Sequence, residues 1–117
     1  MSIYFYNTAA NKKQLFKTIK DKKVDLYSCG PTVYDYSHIG NFRTFIFQDV
    51  LKKWLIFNGY KVKHVMNITD VDDKTIKRSI NEGISLKDLT TYYELKFFED
   101  LGWLKIARAD YYPRATD

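Results

Sequence analysis

The sequence predicts an α/β domain built on a parallel sheet, and three observations support this prediction. A strand-like run extends from Val24 to Cys29, and a second one extends from Tyr60 to Ile68. Between them, apolar residues recur at helical intervals from Ile39 onward, which is typical of an amphipathic helix. A strand, a long helix and a second strand in this order predict a right-handed βαβ crossover with parallel strands.

The composition is that of one small globular domain. The chain has 117 residues, of which 45% are hydrophobic and 17% aromatic, so it holds enough apolar material for a core. A net charge of +5 favours an anionic partner such as a nucleotide or nucleic acid. The single cysteine excludes an internal disulfide and fits a reducing compartment. Because no apolar run approaches the length of a signal-peptide core or a membrane span, we expect a cytoplasmic protein without membrane association.

The N-terminal stretch predicts a short edge strand followed by a basic helix. Ile3 to Tyr6 fits the strand, and the polar residues 7–11 fit a turn. A lysine cluster follows, partly at helical spacing around apolar residues; its members are Lys12, Lys13, Lys17, Lys20, Lys22 and Lys23. These lysines could contact a phosphate backbone or form a solvated helix face, and runs of lysine favour the second interpretation.

The long helix is predicted to bury one side and expose the other. Its apolar positions are Phe42, Phe45, Ile46, Val50, Trp54 and Phe57. Its polar positions are Arg43, Gln48, Asp49, Lys52 and Lys53. The aromatic residues are interpreted as packed core rather than as a platform for stacking bases. Asn58 and Gly59 predict the end of the helix, since glycine adopts the left-handed conformation that closes one.

A short helix is predicted after the second strand. The polar loop at residues 67–74 leads into it, and Gly83 marks its end. Its apolar residues Ile76 and Ile80 are expected to face inward.

A further helix is predicted from a start signal and an apolar stripe. Ser85 and Asp88 have the spacing of a capping box. The stripe, closed by Gly102, consists of Leu89, Tyr92, Tyr93, Phe97 and Leu101. No periodicity is visible at residues 105–117, so no element is predicted there.

Two polar loops, at residues 29–38 and 67–73, follow the two strands of the predicted crossover. Because carboxyl ends of adjacent parallel strands meet at one edge of a sheet, we expect these loops to line one crevice. The first loop leads into the N-terminus of the long helix, whose free N–H groups attract anions. There Gly40 permits close approach of a ligand, and His38 and Asn41 could donate hydrogen bonds to phosphate. The arrangement favours a triphosphate, although neither a Walker loop nor a G-x-G-x-x-G fingerprint is present.

A set of motifs in these loops resembles one enzyme family. The tetrapeptide at residues 38–41, His-Ile-Gly-Asn, resembles the HIGH signature of class I aminoacyl-tRNA synthetases, with asparagine in place of its last histidine. It is accompanied by Cys-Gly-Pro-Thr-Val-Tyr-Asp at 29–35, Asn-Ile-Thr-Asp-Val-Asp-Asp-Lys at 67–74 and Pro-Arg-Ala-Thr at 113–116. The set resembles the cysteinyl-tRNA synthetases and covers nearly the whole chain. It implies an incomplete class I synthetase nucleotide-binding fold with a Rossmann-like parallel sheet.

The resemblance implies a role for each matching residue. Cys29 would be the first ligand of a zinc ion that binds the thiolate of substrate cysteine, because a thiophilic metal separates cysteine from serine. His38, Gly40 and Asn41 would bind the phosphates of ATP, with His38 and Asn41 as catalytic residues. The residues that would border the amino-acid pocket are Gly30, Thr32 and Thr69.

The implied enzyme activates L-cysteine with ATP, accompanied by magnesium, and transfers it to tRNA(Cys). In the activation step the substrate carboxylate attacks the α-phosphate, so the protein mainly positions reactants and stabilises charge. No dedicated general base is needed. We expect such an enzyme to be a monomer.

In this family the other zinc ligands, the KMSKS signature, the insertion domain and the anticodon-reading region lie downstream of the part that residues 1–117 resemble. We therefore expect residues 1–117 to be the N-terminal half of a catalytic domain. Alone, this half is expected neither to activate cysteine nor to bind zinc tightly.

Several of these residues also have a purely structural interpretation. Without the resemblance, Cys29 would be a small buried hydrophobe, and His38 would be a surface or capping residue. His64 lies within a predicted strand and is interpreted as structural. Asp70, Asp72 and Asp73 could suggest a cation site. A helix N-terminus favours carboxylates, however, so helix capping is the better explanation for these aspartates.

Two other functions remain open at this point. A cysteine ligase of the mycothiol pathway also resembles this family but joins activated cysteine to an amino sugar. A nucleotide- or RNA-binding module without catalysis would fit the positive charge. An anticodon-reading region would distinguish the synthetase from the mycothiol-pathway ligase, because only the synthetase needs one. The length of the reading frame would distinguish the synthetase from the binding module, because a frame that continues for several hundred residues excludes the module.

Overall fold

The computed structural model describes residues 2–117, which form two small sheets and three helices. In chain order the elements are β1 (Tyr4–Asn7), β2 (Lys12–Leu15), β3 (Lys23–Ser28), α1 (Ile39–Phe57), β4 (Lys61–Met66), α2 (Asp73–Glu82) and α3 (Leu86–Trp103). β1 and β2 form an antiparallel hairpin, and β3 and β4 form a parallel pair. The predicted α/β class with parallel strands is confirmed. Within residues 2–117, no helix is long and apolar enough to cross a membrane.

The parallel pair aligns the carboxyl ends of β3 and β4. The register pairs Lys23 with Lys61 at one end and Ser28 with Met66 at the other. α1 connects the two strands and ends where predicted, with Gly59 in a left-handed conformation at a φ of 84°. The loops that follow β3 and β4 therefore begin at the same edge of the sheet.

The segment after α3 extends this sheet, which the sequence did not indicate. The N–H of Met66 donates to the carbonyl of Tyr111 at 3.0 Å, and that of Ile68 donates to the carbonyl of Pro113 at 2.8 Å. The N–H of Ala115 donates back to the carbonyl of Ile68 at 3.0 Å. The tail thus runs parallel to β4 along its second edge. It lacks periodicity because only a few of its residues make these contacts.

α1 and α3 pack against each other and against β4 around buried apolar side chains. The first cluster contains Phe42, Phe45, Met66, Phe97, Leu101 and Ile106. A second cluster, which includes a residue from each loop, contains Val33, Ile68, Leu89 and Tyr93. A third cluster attaches the N-terminal hairpin and contains Ile3, Val24 and Leu55. Each large side chain buried in this way contributes about 1.5–3 kcal/mol of transfer free energy.

α1 buries a different face from the predicted one. Four apolar residues that were expected in the core are exposed, namely Ile46, Val50, Trp54 and Phe57. Asp49 and Lys52, expected in solvent, are each only 8% exposed. The reason is the segment after α3, which crosses α1: the N–H of Ala107 donates to Asp49 Oδ1 at 3.0 Å. Likewise, Lys52 Nζ donates to the carbonyl of Arg108 at 2.8 Å.

The basic N-terminal segment forms a strand instead of the predicted helix. Lys12–Leu15 pairs with Tyr4–Asn7 across the predicted turn. Just beyond the strand, Phe16 packs edge-on against Phe5 with 5.1 Å between ring centroids. Cross-strand pairing and this aromatic contact outweigh a weak helical spacing.

α2 also turns a different face inward from the predicted one. Ile76 and Ile80 are exposed, whereas Thr75 and Ser79 are buried. Thr75 is buried because it belongs to the N-terminal cap, in which its N–H donates to Asp72 Oδ1 at 2.8 Å. The predicted end of α2 is confirmed, since Gly83 has a left-handed φ of 66°.

α3 begins as predicted but ends later. Ser85 Oγ accepts from the N–H of Asp88 at 3.0 Å and donates to its carboxylate at 2.6 Å, so the return contact goes to the hydroxyl. Gly102 lies inside α3, and Lys105 adopts the left-handed conformation after the helix, with a φ of 54°. Of the predicted stripe, only Tyr92 is exposed. It lies at the surface, where its ring contacts Tyr36 in the loop that follows β3.

Candidate active site

The loops after β3 and β4 lie side by side, as the sequence predicted. Thr32 and Thr69 form a parallel bridge that continues the strand pairing into the loops. The N–H of Val33 donates to the carbonyl of Thr69 at 3.1 Å, and the N–H of Thr69 donates to the carbonyl of Pro31 at 3.0 Å. These bonds fix the two loops relative to each other by backbone contacts.

Gly30 allows this close approach. A Cβ atom at position 30 would lie 1.9 Å from the carbonyl oxygen of Asn67 and 2.8 Å from Met66 Cγ. Any other residue would therefore push the loops apart. The side chain of Asn67 adds to the contact, because its Oδ1 accepts from the N–H of Gly30 at 3.1 Å.

The loop after β3 and the start of α1 enclose a cavity of about 410 Å³. Of the predicted site residues, the structure brings four to its lining: Gly30, Thr32, His38 and Asn41. Among residues 2–117, the lining does not include the other three, which are Cys29, Gly40 and Thr69. Thr69 contributes to the cavity indirectly, because its backbone hydrogen bonds hold the loop after β3 in place.

His38 and Asn41 cap the N-terminus of α1. His38 Nδ1 accepts from the N–H of Gly40 at 3.1 Å, and Asn41 Oδ1 accepts from the N–H of His38 at 3.1 Å. The first bond assigns the proton of a neutral His38 ring to Nε2. Nε2 of His38 and the amide NH₂ of Asn41 make no hydrogen bond within residues 2–117, so both remain available as donors to a ligand.

Gly40 lies beneath the ring of His38 in the first turn of α1. A Cβ atom at position 40 would be 2.9 Å from His38 Cε1, so a larger residue would displace the imidazole. The absence of a side chain at Gly40 therefore sets the position of the capping ring.

Asp35, in the loop after β3, is held by Arg78 of α2. Arg78 Nη1 lies 2.6 Å from Asp35 Oδ2, and its Nη2 donates to the hydroxyl of Tyr93 at 2.8 Å. Arg78 Nε donates to Glu82 at 2.5 Å. The pKa of Arg78 is raised by its hydrogen bond with Glu82 first and then by Asp35, so the guanidinium is always charged. The sequence carries no signal for the contact with Asp35, because the spacing of Arg78 and Glu82 explains them as an ordinary helix pair.

Tyr36, the next residue of this loop, packs against α3. Its hydroxyl lies 2.7 Å from that of Tyr92, and its ring meets Tyr93 edge-on at 5.2 Å between centroids. The hydrogen bond with Tyr92 is the main reason that the pKa of Tyr36 is raised. Asp35 and Tyr36 thus fasten the loop to both α2 and α3 directly before His38.

Lys74 completes the charged lining of the cavity. It stands in the first turn of α2, and its Nζ lies 5.5 Å from the ring centroid of Tyr34. Within residues 2–117 it forms no ion pair, whereas Asp35, the one carboxylate among the lining residues described, is paired with Arg78. Lys74 is a cation in this cavity that sequence reasoning did not single out.

Three aspartates follow β4, and the contacts of two of them, Asp70 and Asp72, are structural. Asp70 is buried and accepts from the N–H of Thr116 at 3.2 Å. Asp72 caps α2, and Asp73 lies in its first turn. A second cavity of about 680 Å³ adjoins Asp70, between α3 and the tail.

Cys29 follows the last residue of β3, and its side chain is exposed rather than buried. Its carbonyl accepts from Gln48 Nε2 at 3.3 Å, which connects this position to α1. Within residues 2–117 no three His, Cys, Asp or Glu side chains are grouped so that they could hold a metal ion. Since zinc in proteins takes three or four protein ligands, residues 2–117 alone do not form a complete zinc site around Cys29.

Comparison with known proteins identifies the family. Residues 15–117 match the family described as tRNA synthetases class I (C) catalytic domain. The chain belongs to this family. The resemblance found in the loop motifs and the incomplete Rossmann-like fold expected from it are thereby confirmed.

Relatives of this class I synthetase domain come from several organisms. It is 60% identical over 114 residues to cysteine–tRNA ligase of Chlamydia pneumoniae, and this alignment covers 97% of this chain and 24% of the relative. Cysteine–tRNA ligase of Protochlamydia amoebophila is 55% identical over 96% of this chain and 23% of its own length. That of Methanosarcina mazei is 54% identical over 96% of this chain and 24% of its own length. The synthetase domain therefore spans about a quarter of the length of the curated relatives that it matches.

Proposed function

We propose that residues 1–117 form the N-terminal half of the catalytic domain of a cysteine–tRNA ligase. The complete enzyme activates L-cysteine with ATP to cysteinyl-adenylate and transfers the cysteinyl group to tRNA(Cys). The names of the relatives support this choice over a ligase that uses an amino sugar. The proposal extends to magnesium bound with ATP, a monomeric enzyme and a cytoplasmic location.

The observation that carries the proposal is the cavity beside the N-terminus of α1. Nε2 of His38 and the amide of Asn41 are free to donate there, while their other polar atoms are fixed by the helix cap. The dipole of α1 adds partial positive charge at the same place. Pre-positioned donors of this kind bind phosphate oxygens without reorganisation.

These residues suit adenylate formation. The carboxylate oxygen of cysteine attacks the α-phosphorus of ATP, the bond between the α-phosphorus and the bridging oxygen breaks, and pyrophosphate leaves with that electron pair. His38 and Asn41 would donate to phosphate oxygens on which negative charge develops. Gly30, Thr32 and Thr69 would border the bound amino acid, because the joined loops hold them at the adjacent edge of the sheet.

Cys29 would supply one ligand to a zinc ion whose remaining ligands come from outside residues 2–117. Such an ion selects the thiolate of cysteine over the hydroxyl of serine. The exposure of the Cys29 thiol at the end of β3 is compatible with this role.

The test is cysteine-dependent exchange between ATP and pyrophosphate, catalysed by the protein from the complete reading frame. Serine serves as the control amino acid, and charging of tRNA(Cys) follows as the second step. We expect exchange with cysteine, little with serine, and none by residues 1–117 alone, which should also bind zinc weakly. Zinc content should fall in Cys29→Ser of the complete protein. Charging of an amino sugar in place of tRNA, or a protein without any exchange activity, would contradict the proposal.

A further inference from the structure

We propose that Lys74 binds a phosphate group of ATP in the cavity beside α1, as a third donor together with His38 and Asn41. The inference deepens the proposed function and rests on it. It gives a role to a residue that the HIGH-like motif does not contain. Three observations carry it: the position of Lys74, the pairing of the charges around it, and the weak contact that it makes.

The position of Lys74 is fixed by the cap of α2. The N–H of Thr75 donates to Asp72 Oδ1 at 2.8 Å, and Thr75 Oγ1 donates to the carbonyl of Asp72 at 2.8 Å. Thr75 is fully buried. The backbone of the first turn is thus rigid, and it directs Lys74 to the cavity that His38 and Asn41 also line.

The charges around Lys74 leave it without an anion. Asp35 lines the same cavity, but its carboxylate lies 2.6 Å from Arg78 Nη1 on the side of α2 and α3. The carboxylate of Asp72 accepts from the cap of its own helix. Because Lys74 forms no ion pair within the part of the chain described, its ammonium is available to an anion beside two free hydrogen-bond donors. This combination favours a phosphate.

The contact that Lys74 does make is compatible with ligand binding. Its Nζ lies 5.5 Å from the ring centroid of Tyr34, a cation–π distance. At an exposed site such a contact is weak, so the ammonium can leave the ring for a phosphate. The ring then limits where the flexible side chain goes in the absence of ATP.

The experiment compares Lys74→Ala with Lys77→Ala in the protein from the complete reading frame. Lys77 is the matched control, because it lies on the same helix and lines the neighbouring groove together with Lys74, but it does not line this cavity. We expect Lys74→Ala to raise the KM for ATP in pyrophosphate exchange about tenfold, the effect of losing one charge-assisted hydrogen bond. The KM for cysteine should remain unchanged, and Lys74→Arg should restore most of the ATP affinity. Lys77→Ala should resemble the wild type in every assay.

Direct binding of ATP, measured by equilibrium dialysis, separates this inference from the proposed function. A wild type that binds ATP but catalyses no exchange with cysteine would contradict the proposed function, and the dialysis would still decide on Lys74. Equal ATP affinities of Lys74→Ala and Lys77→Ala would overturn the inference. A rise in the KM for tRNA without a change for ATP would also overturn it, since the phosphate would then belong to the tRNA. If the wild type bound no ATP, both the proposed function and the role of Lys74 would be overturned.

Discussion

Gly30 and Asn67 join the two loops of the site through backbone and side chain together. The N–H of Gly30 donates to Asn67 Oδ1, and the Cα of Gly30 packs so closely on Asn67 that a Cβ atom would lie 1.9 Å from its carbonyl oxygen. The glycine is thus required by proximity and not by an unusual φ, because its backbone is outside the left-handed region. The spacing of the cavity walls depends on this contact.

Gly30→Ala is therefore expected to be strongly destabilising. The overlap is with backbone atoms, which no side-chain rotation relieves, so the loss should be at least about 1–3 kcal/mol. Gly102→Ala is the control: a Cβ there meets nothing within 4 Å, and alanine inside a helix is about 0.5–1 kcal/mol more stable than glycine. Thermal unfolding should show a lower Tm for the first variant and a slightly higher one for the second. Equal Tm values would contradict the assigned contact.

Arg78→Lys is expected to weaken ATP binding more than it lowers stability. Lysine cannot contact Asp35, Glu82 and Tyr93 at the same time, so the loop before His38 should lose its anchor. Because both charged groups are partly exposed, the ion pair with Asp35 contributes little to stability. The KM for ATP should nevertheless rise about three- to tenfold.

The control for this prediction is Lys96→Gln. It removes an exposed ion pair within α3, with Glu99, and a cation–π contact with Tyr92, but it leaves the pairing of Asp35 with Arg78 unchanged. Its KM for ATP should match that of the wild type. If Asp35→Asn and Arg78→Lys act through one contact, the double variant should show less than the sum of the two single effects. Full additivity would argue against the anchor.

The elements that position the site could be predicted from local patterns. Alternation gave β3 and β4, helical spacing gave α1, and Gly59 marked the end of that helix. Parallel pairing then followed from the order of the elements, and the meeting of the two loops followed from parallel pairing. Each step used information confined to a short stretch of chain.

Contacts between distant segments could not be predicted in this way. The burial of Asp49 depends on Ala107, which lies 58 residues further along the chain in a segment without periodicity. The pairing of Asp35 with Arg78 depends on where α2 comes to rest beside the loop. For the same reason the motif at 67–74 gave no role to its last residue, Lys74, since only the folded chain brings Lys74 to the cavity that His38 and Asn41 line.

Asn41→Asp is expected to separate helix capping from phosphate binding. A carboxylate oxygen can still accept from the N–H of His38, and negative charge at a helix N-terminus is favourable, so Tm should be unchanged or slightly higher. The variant loses the free amide donor and places a negative charge beside the phosphates, so the KM for ATP should rise at least about tenfold. Asn41→Ala should lose both functions, with about 1 kcal/mol less stability. Unchanged ATP affinity in Asn41→Asp would contradict the role of the amide.

His64 is a buried histidine of β4 whose ring reaches Ser28, the last residue of β3. It is 2% exposed, its Nε2 lies 2.7 Å from Ser28 Oγ, and its Nδ1 has no hydrogen-bond partner within residues 2–117. Burial lowers the pKa of His64 below its usual value, and the positive charge of Lys52 lowers it further. Asp110 and Asp49 act in the opposite direction but do not outweigh these effects.

The stability of the β3–β4 pair should therefore fall in mild acid. When the pKa is lower in the folded state, the unfolded chain binds the proton first, so stability is complete above the usual value of 6.5 and is lost as pH falls through 6.5 toward the folded pKa. The loss amounts to about 1.4 kcal/mol per unit of pKa difference. Hydrogen exchange of peptides from β3 and β4, corrected for intrinsic rates, should show declining protection between about pH 7.5 and pH 5, above the range in which the lowered pKa of Asp110 acts. His64→Gln should remove this dependence, and a variant that keeps the same decline would assign it to another group.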